Sequence, residues 1–340
     1  VHCSTLFIQW NDGMENAPVK LCVVLPCYNE EAALEYSIKS LNEVLAALAG
    51  DRIIDAAYKL VCVDDGSFDG TWPMICNLAR NYQGRLSGIK LSRNVGHQNA
   101  ILAGLEHVRQ ENLCEAVITM DADLQDDVAA IKEMVEKYRL ENCDIVLGVR
   151  RSRKSDSLLK RYTAQMFYSL MKNTHTPVVP DHAEYRLMSR RAVDCLLQYG
   201  ERNVFLRGII TSMGFKTGMV YYDRRPRQFG RSKYPLARML NFAVEGITSF
   251  SIRPIRSIFL IGVVSLVLTL SVGIYVLAAI LLGRTYPGWA SLMLSLWFLG
   301  SLILIALGII GEYIGKIYLE VKQRPRYFVE STTWGEEEKR

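Results

Sequence analysis

Three acidic clusters each follow an apolar run, and their residue types suit a charged, oxygen-rich ligand. The richest is Asp121-Ala122-Asp123-Leu124-Gln125-Asp126, placed after Ala116 to Met120. In an extended segment alternate side chains point the same way, so Asp121, Asp123 and Gln125 are expected to share one face. Two carboxylates and an amide oxygen are hard donors, suited to a divalent cation that also holds a diphosphate. Such a cation acts as a Lewis acid when charge builds on a departing phosphate. A second cluster is Asp64-Asp65-Gly66-Ser67. Asp-Gly is a common turn and needs no function, yet an Asp ending a strand can also accept hydrogen bonds from a base or ribose. The third is Pro26-Cys27-Tyr28-Asn29-Glu30-Glu31. Pro26 fixes the chain direction, Tyr28 could stack on a base, and the acidic residues suit a helix N-terminus. Asn29 also reads as a simple N-cap.

The elements that must position these clusters alternate. Leu21 to Leu25 reads as a buried strand stopped by Pro26, and Glu30 to Leu48 as a helix with apolar residues at helical spacing. Strands follow at Lys59 to Val63, Ile89 to Leu91, Ala116 to Met120 and Ile145 to Gly148, with helices from about Asp69, Gly96 and Asp127 between them. Such alternation predicts an α/β fold with a mostly parallel sheet covered on both faces. Ligands in these sheets sit beyond the carboxyl ends of the strands, where all three clusters fall. Past residue 150 the alternation is lost.

Charge divides the chain. Residues 1–149 carry a net −10, residues 150–256 +14 and residues 257–340 +1. The acidic part suits a metal site, and the basic part an anion or lipid headgroup beside a membrane. Nucleic acid is disfavoured because the basic stretch runs straight into two uncharged runs, Ser257–Gly283 and Thr285–Gly311. Each run is long enough to span a bilayer. Their short connector makes them a hairpin, and flanking Arg253, Arg256, Lys316, Lys322, Arg324 and Arg326 place both ends, with the domain before them, in the cytoplasm. Residues 235–256 form an amphipathic helix, with Leu236, Met239, Leu240, Ala243, Ile247 and Phe250 on one arc, expected to lie at the interface. Residues 1–18 read as a disordered extension, with Met14 a candidate start and no signal peptide. The cysteines show no metal-ligand spacing and read as buried reduced thiols.

Taken together, Val24-Leu25-Pro26-Cys27-Tyr28-Asn29-Glu30-Glu31, Val63-Asp64-Asp65-Gly66-Ser67, Asn94-Val95-Gly96-His97 and Asp121-Ala122-Asp123-Leu124-Gln125-Asp126 resemble the ordered motifs of family-two glycosyltransferases with a GT-A fold. The chain is most similar to the polyprenyl-phosphate branch, that of dolichol-phosphate mannose synthases and bacterial bactoprenol glucosyltransferases, over about Val19 to Arg326. The resemblance implies inverting transfer of a hexose from a UDP-sugar, with UDP-glucose the guess, to undecaprenyl or another polyprenyl phosphate. It implies a GT-A domain over 19–234, membrane helices at 257–283 and 285–311, and a cytoplasmic tail at 312–340. Pro26, Tyr28, Glu30, Asp64 and Asp121 would hold the donor, and Asp121, Asp123 and Gln125 a Mg2+ or Mn2+ ion. Arg150 and the loop Phe229-Gly230-Arg231-Ser232-Lys233-Tyr234 would receive the acceptor phosphate through Arg150, Arg231, Ser232 and Lys233. Asp123 and Glu184 would be the catalytic pair, although Glu184-Tyr185-Arg186-Leu187 has Glu where the branch usually has Asp, and Glu184 could instead orient Arg186. Membrane relatives imply a homotetramer. A processive polysaccharide synthase would need more spans and a Gln-x-x-Arg-Trp motif. A non-catalytic nucleotide-binding scaffold is the reading from another class, opposed by the intact Asp-x-Asp. No Gly-x-Gly-x-x-Gly follows the first strand, against a nicotinamide enzyme.

Overall fold

Alternating apolar runs become the expected strands and helices in the computed structural model of the chain, which describes residues 17–151, 182–202, 204–223, 253–282 and 288–333. In order these are β1 Leu21–Cys27, α1 Glu31–Gly50, β2 Lys59–Asp64, α2 Thr71–Asn81, β3 Leu86–Leu91, α3 His97–Gln110, β4 Ala116–Thr119, α4 Ala130–Leu140 and β5 Ile145–Arg150. β1 is buried along its whole length and its side chains feed two cores. Val23, Leu25 and Cys27 pack with Leu34, Ile38 and Leu41 of α1. Cys22 and Val24 pack on the other face with Ala100, Ile101 and Leu105 of α3. This is the period of two that makes a strand buried on both faces a continuous apolar run.

β1 does not stop at Pro26. Pro26 pairs in register with Val63 of β2, whereas pairing with β4 ends at Val24 and Thr119. The Val24 carbonyl accepts the Met120 N–H at 3.2 Å. Backbone groups two residues apart point the same way, so the Pro26 nitrogen faces a side where β4 has already ended. Its missing N–H therefore costs no ladder bond.

The later elements are β6 His182–Ser189, α5 Arg190–Leu196, α6 Leu206–Ser212, β7 Thr217–Tyr222, α7 Arg253–Leu281, α8 Trp289–Lys322 and β8 Val329–Thr332. The sheet runs β7-β5-β6-β4-β1-β2-β3-β8. β6 is antiparallel to both β4 and β5, and β8 is antiparallel to β3. The other strands share one direction, so their carboxyl ends form one edge.

The tail expected at 312–340 is not separate from the domain. α8 continues to Lys322, and the chain then enters the sheet as β8 at the carboxyl end of β3. The Ser92 N–H donates to the Phe328 carbonyl at 3.0 Å, and Gly88 and Thr333 exchange bonds of 2.9 and 3.0 Å. The base of α8 is tied down too, with the Arg202 N–H on Glu320 Oε1 at 2.7 Å and Arg326 Nε on the Glu201 carbonyl at 3.1 Å. Within α8, Phe298–Lys322 is long and apolar enough to cross a membrane, at mean hydropathy 2.0, and it alone qualifies among the described residues. The N-terminal extension to residue 16, the acceptor loop at 229–234, the amphipathic helix to residue 252 and the hairpin connector at 283–287 lie outside the described residues.

Candidate active site

The loops after β1 and β2 are laced together, which fixes the first two clusters against each other. Asn29 has φ 53°, a left-handed conformation that Asn tolerates better than most residues. Its N–H donates to Ser67 Oγ at 3.0 Å, and its Oδ1 accepts the Phe68 N–H at 2.9 Å. It is no N-cap for α1. The Glu30 N–H donates to Thr71 Oγ1 at 3.0 Å, and Glu31 Oε2 accepts the Gly70 N–H at 2.9 Å. Tyr28 is half-buried and meets Phe68 edge to face, with centroids 6.4 Å apart.

The two Asp residues of the second cluster do different things. Both Asp65 oxygens are used inside the protein, accepting the Val95 N–H at 2.7 Å and the Gly96 N–H at 3.1 Å. Asp64 is fully buried, and its Oδ1 accepts the Ser67 N–H at 3.1 Å. Its Oδ2 is buried without a hydrogen-bond partner among the described residues. Burial pushes the Asp64 carboxyl up, against the Ser67 bonds that pull it down. A buried carboxylate oxygen with no partner is an acceptor awaiting a donor. Gly66, at φ 65°, closes the turn, because a Cβ there would lie 2.4 Å from the Arg93 carbonyl carbon.

The third cluster departs from expectation. Asp121 to Asp126 is a turn and not an extended segment. Leu124 has φ 48°, and Asp123 Oδ1 accepts the Gln125 N–H at 3.2 Å. Alternation therefore does not set which side chains share a face. Asp121 and Asp123 remain partly exposed, whereas Asp126 is buried. Asp126 Oδ1 takes the Tyr222 hydroxyl at 2.5 Å and Arg150 Nη2 at 3.3 Å. Burial and then the nearby Asp121 charge push Asp126 up, and Arg150 opposes them. Burial works against the Arg150 cation as well, but Asp126 and Tyr222 more than offset it, leaving Arg150 above its ordinary value. Arg150 thus already has a protein partner, with its side chain still 25% exposed.

Glu184 lies on β6, which the Thr119 hydroxyl ties to β4 through the Glu184 carbonyl at 2.9 Å. Glu184 Oε1 holds Arg207 Nε at 2.9 Å and Oε2 touches the Arg186 guanidinium. Arg186 is fully buried. Burial and the neighbouring Arg207 cation push its pKa down, and the Asp121 carboxylate opposes them. Both Glu184 oxygens thus lie against arginines.

The structure brings Pro26, Tyr28, Glu30, Asp64, Asp121, Asp123, Gln125 and Arg150 to the carboxyl edge of one sheet, with Glu184 just inside it. Arg231, Ser232 and Lys233 lie outside the described residues. Sequence reasoning gave no role to Asp65, Asp126, Arg207 or Tyr222. Only the first two stand within a recognisable motif. His97, which ends the Asn94-Val95-Gly96-His97 motif, has its Nε2 3.2 Å from Asp121 Oδ1. Among the described residues no three His, Cys, Asp or Glu side chains converge as a metal cage. The donor set still fits Mg2+ or Mn2+, since small hard cations are commonly held by one or two carboxylates and complete their shell with substrate phosphates and water.

The family described as Glycosyl transferase family 2 matches residues 22–197. Uncharacterized glycosyltransferase YkoT of Bacillus subtilis (strain 168) is 46% identical over 95% of this chain and 95% of its own length. Bactoprenol glucosyl transferase of Shigella phage SfX is 36% identical over 92% of this chain and 99% of its own. Among solved structures, mannosyltransferase PcManGT from Pyrobaculum calidifontis, in complex with GDP-Man and Mn2+, matches at 16% identity and TM-score 0.43 over 90% of this chain and 86% of that one. The extent and identity of these sequence matches show that the chain belongs to the family-two glycosyltransferases.

Proposed function

We propose that this glycosyltransferase moves a single hexose from a UDP-sugar, UDP-glucose foremost, to a polyprenyl phosphate at the cytoplasmic face of the membrane. The observation that carries the reading is the edge at which α8 joins the sheet. α8 leads into β8, which enters the sheet at the carboxyl end of β3. The clusters that suit a nucleotide and a metal therefore lie on the side where a lipid phosphate would be presented. Two-span topology, with α7 and α8 as a hairpin, accords with this arrangement and with the charges flanking it. The names of the bactoprenol relatives support the same acceptor class. A homotetramer is the assembly proposed.

In this reading Asp64 Oδ2 accepts a hydrogen bond from the nucleoside, Tyr28 stacks on the base, and Pro26 and Glu30 shape the wall. Asp121, Asp123 and Gln125 would hold Mg2+ or Mn2+, which when bound offsets the charge developing on the departing UDP. The acceptor is a phosphate monoester, whose second pKa near 6 leaves it mostly dianionic at neutral pH. Its oxygen can attack the anomeric carbon as the bond to UDP breaks, with inversion and without a strong base. Glu184, engaged by two arginines, accordingly serves as a positioning residue for Arg186 and Arg207. Arg150, with Arg231, Ser232 and Lys233, receives the acceptor phosphate.

The test is a panel of radiolabelled UDP-sugars given with undecaprenyl phosphate to the purified full-length protein. Label moving into the lipid extract from UDP-glucose above the other sugars is the expected result. Label entering a polymer, or none moving, would overturn the reading.

A further inference from the structure

Asp121 Oδ1 lies 3.2 Å from His97 Nε2, the one ion-pair contact of Asp121 among the described residues. The position of that ring is set from the far side of the site. Asp65, 3% exposed, grips the Val95 and Gly96 N–H groups. Gly66 presses against Arg93 and Asn94. Gly96 then turns the chain at φ 90°, a conformation that L side chains rarely adopt, and α3 begins at His97 itself. The end of β2 thus fixes a loop that delivers an imidazole to the end of β4. None of these contacts requires a ligand.

Asp121 needs such a partner for a physical reason. Its side chain is 35% exposed, and it feels the buried Asp126 carboxylate on one hand and the Arg150 and Arg186 cations on the other. A partly exposed carboxylate pulled between such charges can rotate, and holding it at a cation would then carry an ordering cost. Carboxylates and imidazoles that bind metals are usually held by an outer hydrogen bond for this reason.

We propose that His97 is a positioning residue for the divalent-cation site: its Nε2–H donates to Asp121 Oδ1 and restrains a carboxylate that would hold the ion. The assignment rests on the reading of Asp121, Asp123 and Gln125 as the ion-binding set. It does not depend on the charge of the ring, because both the Nε2–H tautomer and the imidazolium make the same bond.

The geometry selects the test variants. Glutamine can place an N–H where Nε2 lies, whereas asparagine reaches only the Nδ1 position. Mn2+ binding to the full-length protein, with UDP present, is read from the free-ion electron paramagnetic resonance signal. His97→Ala and His97→Asn should each weaken Mn2+ roughly 10- to 100-fold, and His97→Gln should recover most of the loss. UDP binding without metal, by calorimetry, should be the same in all four proteins, which also reports that the variants are folded. Unchanged Mn2+ affinity in His97→Ala would overturn the assignment of His97 alone. So would equal losses in His97→Gln and His97→Ala, or a loss of metal-free UDP binding, which would put the ring on the nucleotide. A wild-type protein that binds no Mn2+ with UDP would instead overturn the metal reading on which the assignment rests.

Discussion

Replacing Asp64 by Asn should weaken UDP binding while leaving the free protein no less stable, and the two signs together make the prediction specific. Asp64 is fully buried, with Oδ1 on the Ser67 N–H at 3.1 Å and Oδ2 without a hydrogen-bond partner among the described residues. In Asp64→Asn the amide oxygen can keep the Ser67 bond, and the amide nitrogen replaces the lone oxygen. A nucleoside N–H or O–H that would have met a carboxylate oxygen now meets another donor. Losing a hydrogen bond to a charged group costs about 1.5–3 kcal/mol, or roughly 10- to 100-fold in Kd. The free protein responds differently because its buried charge is removed. Burial raises the Asp64 pKa in the folded state, so its favourable contribution is present at low pH and is lost as pH rises through the folded value. At neutral pH wild type therefore carries a desolvated carboxylate that Asp64→Asn lacks. Calorimetry with UDP and thermal unfolding without it, both across pH, separate the effects. Wild-type UDP affinity should also fall as pH drops through the raised Asp64 pKa, a component the variant should lack. An unchanged Kd, or a variant that melts lower at neutral pH, would mean that Asp64 only shapes its turn.

Other expectations follow from the proposed function. Asp123→Asn should cut transfer by orders of magnitude with the fold intact by circular dichroism, and full activity of that variant in EDTA would remove the metal assignment. Arg231→Ala or Lys233→Ala should weaken use of the lipid phosphate by about 1–3 kcal/mol for each charge-assisted bond lost. UDP affinity, measured by calorimetry, should hold in both, and the reverse pattern would place that loop on the donor. A reporter fused after Arg340 and one placed before Val19 should both read cytoplasmic, and a tag within 284–288 should read outside. Termini on opposite sides would refute the hairpin.

Much of this was legible in the sequence because the first half of the chain obeys local rules. β1 to β5 are short apolar runs between turn residues, and the three acidic clusters lie at the carboxyl ends of β1, β2 and β4. What failed to show depends on distant partners. β6 carries Glu184 and Arg186 inside a strand, and two buried charges hide an apolar pattern until their ion pairs are seen. β8 is short and polar, and it is a strand only because β3 offers an open edge more than two hundred residues earlier in the chain. The Asp-x-Asp segment misled in a different way. Its spacing suited an extended chain, but left-handed Leu124 and the Asp123 bond to Gln125 make it a turn. The residue types of the site were readable from the sequence, whereas the carboxylates that serve the fold were not. Asp65 and Glu184 look identical to ligand-binding residues until their oxygens are found occupied.

The central claim is that a lipid phosphate attacks the sugar directly. The measurement closest to it is the structure of the product formed from α-linked UDP-glucose and undecaprenyl phosphate, by mass spectrometry and by the anomeric coupling in proton NMR. The account predicts one hexose per lipid, joined through the phosphate in the β configuration, with one UDP released for each. A retained α linkage, a hexose on any group other than the phosphate, or a chain of several hexoses would contradict it.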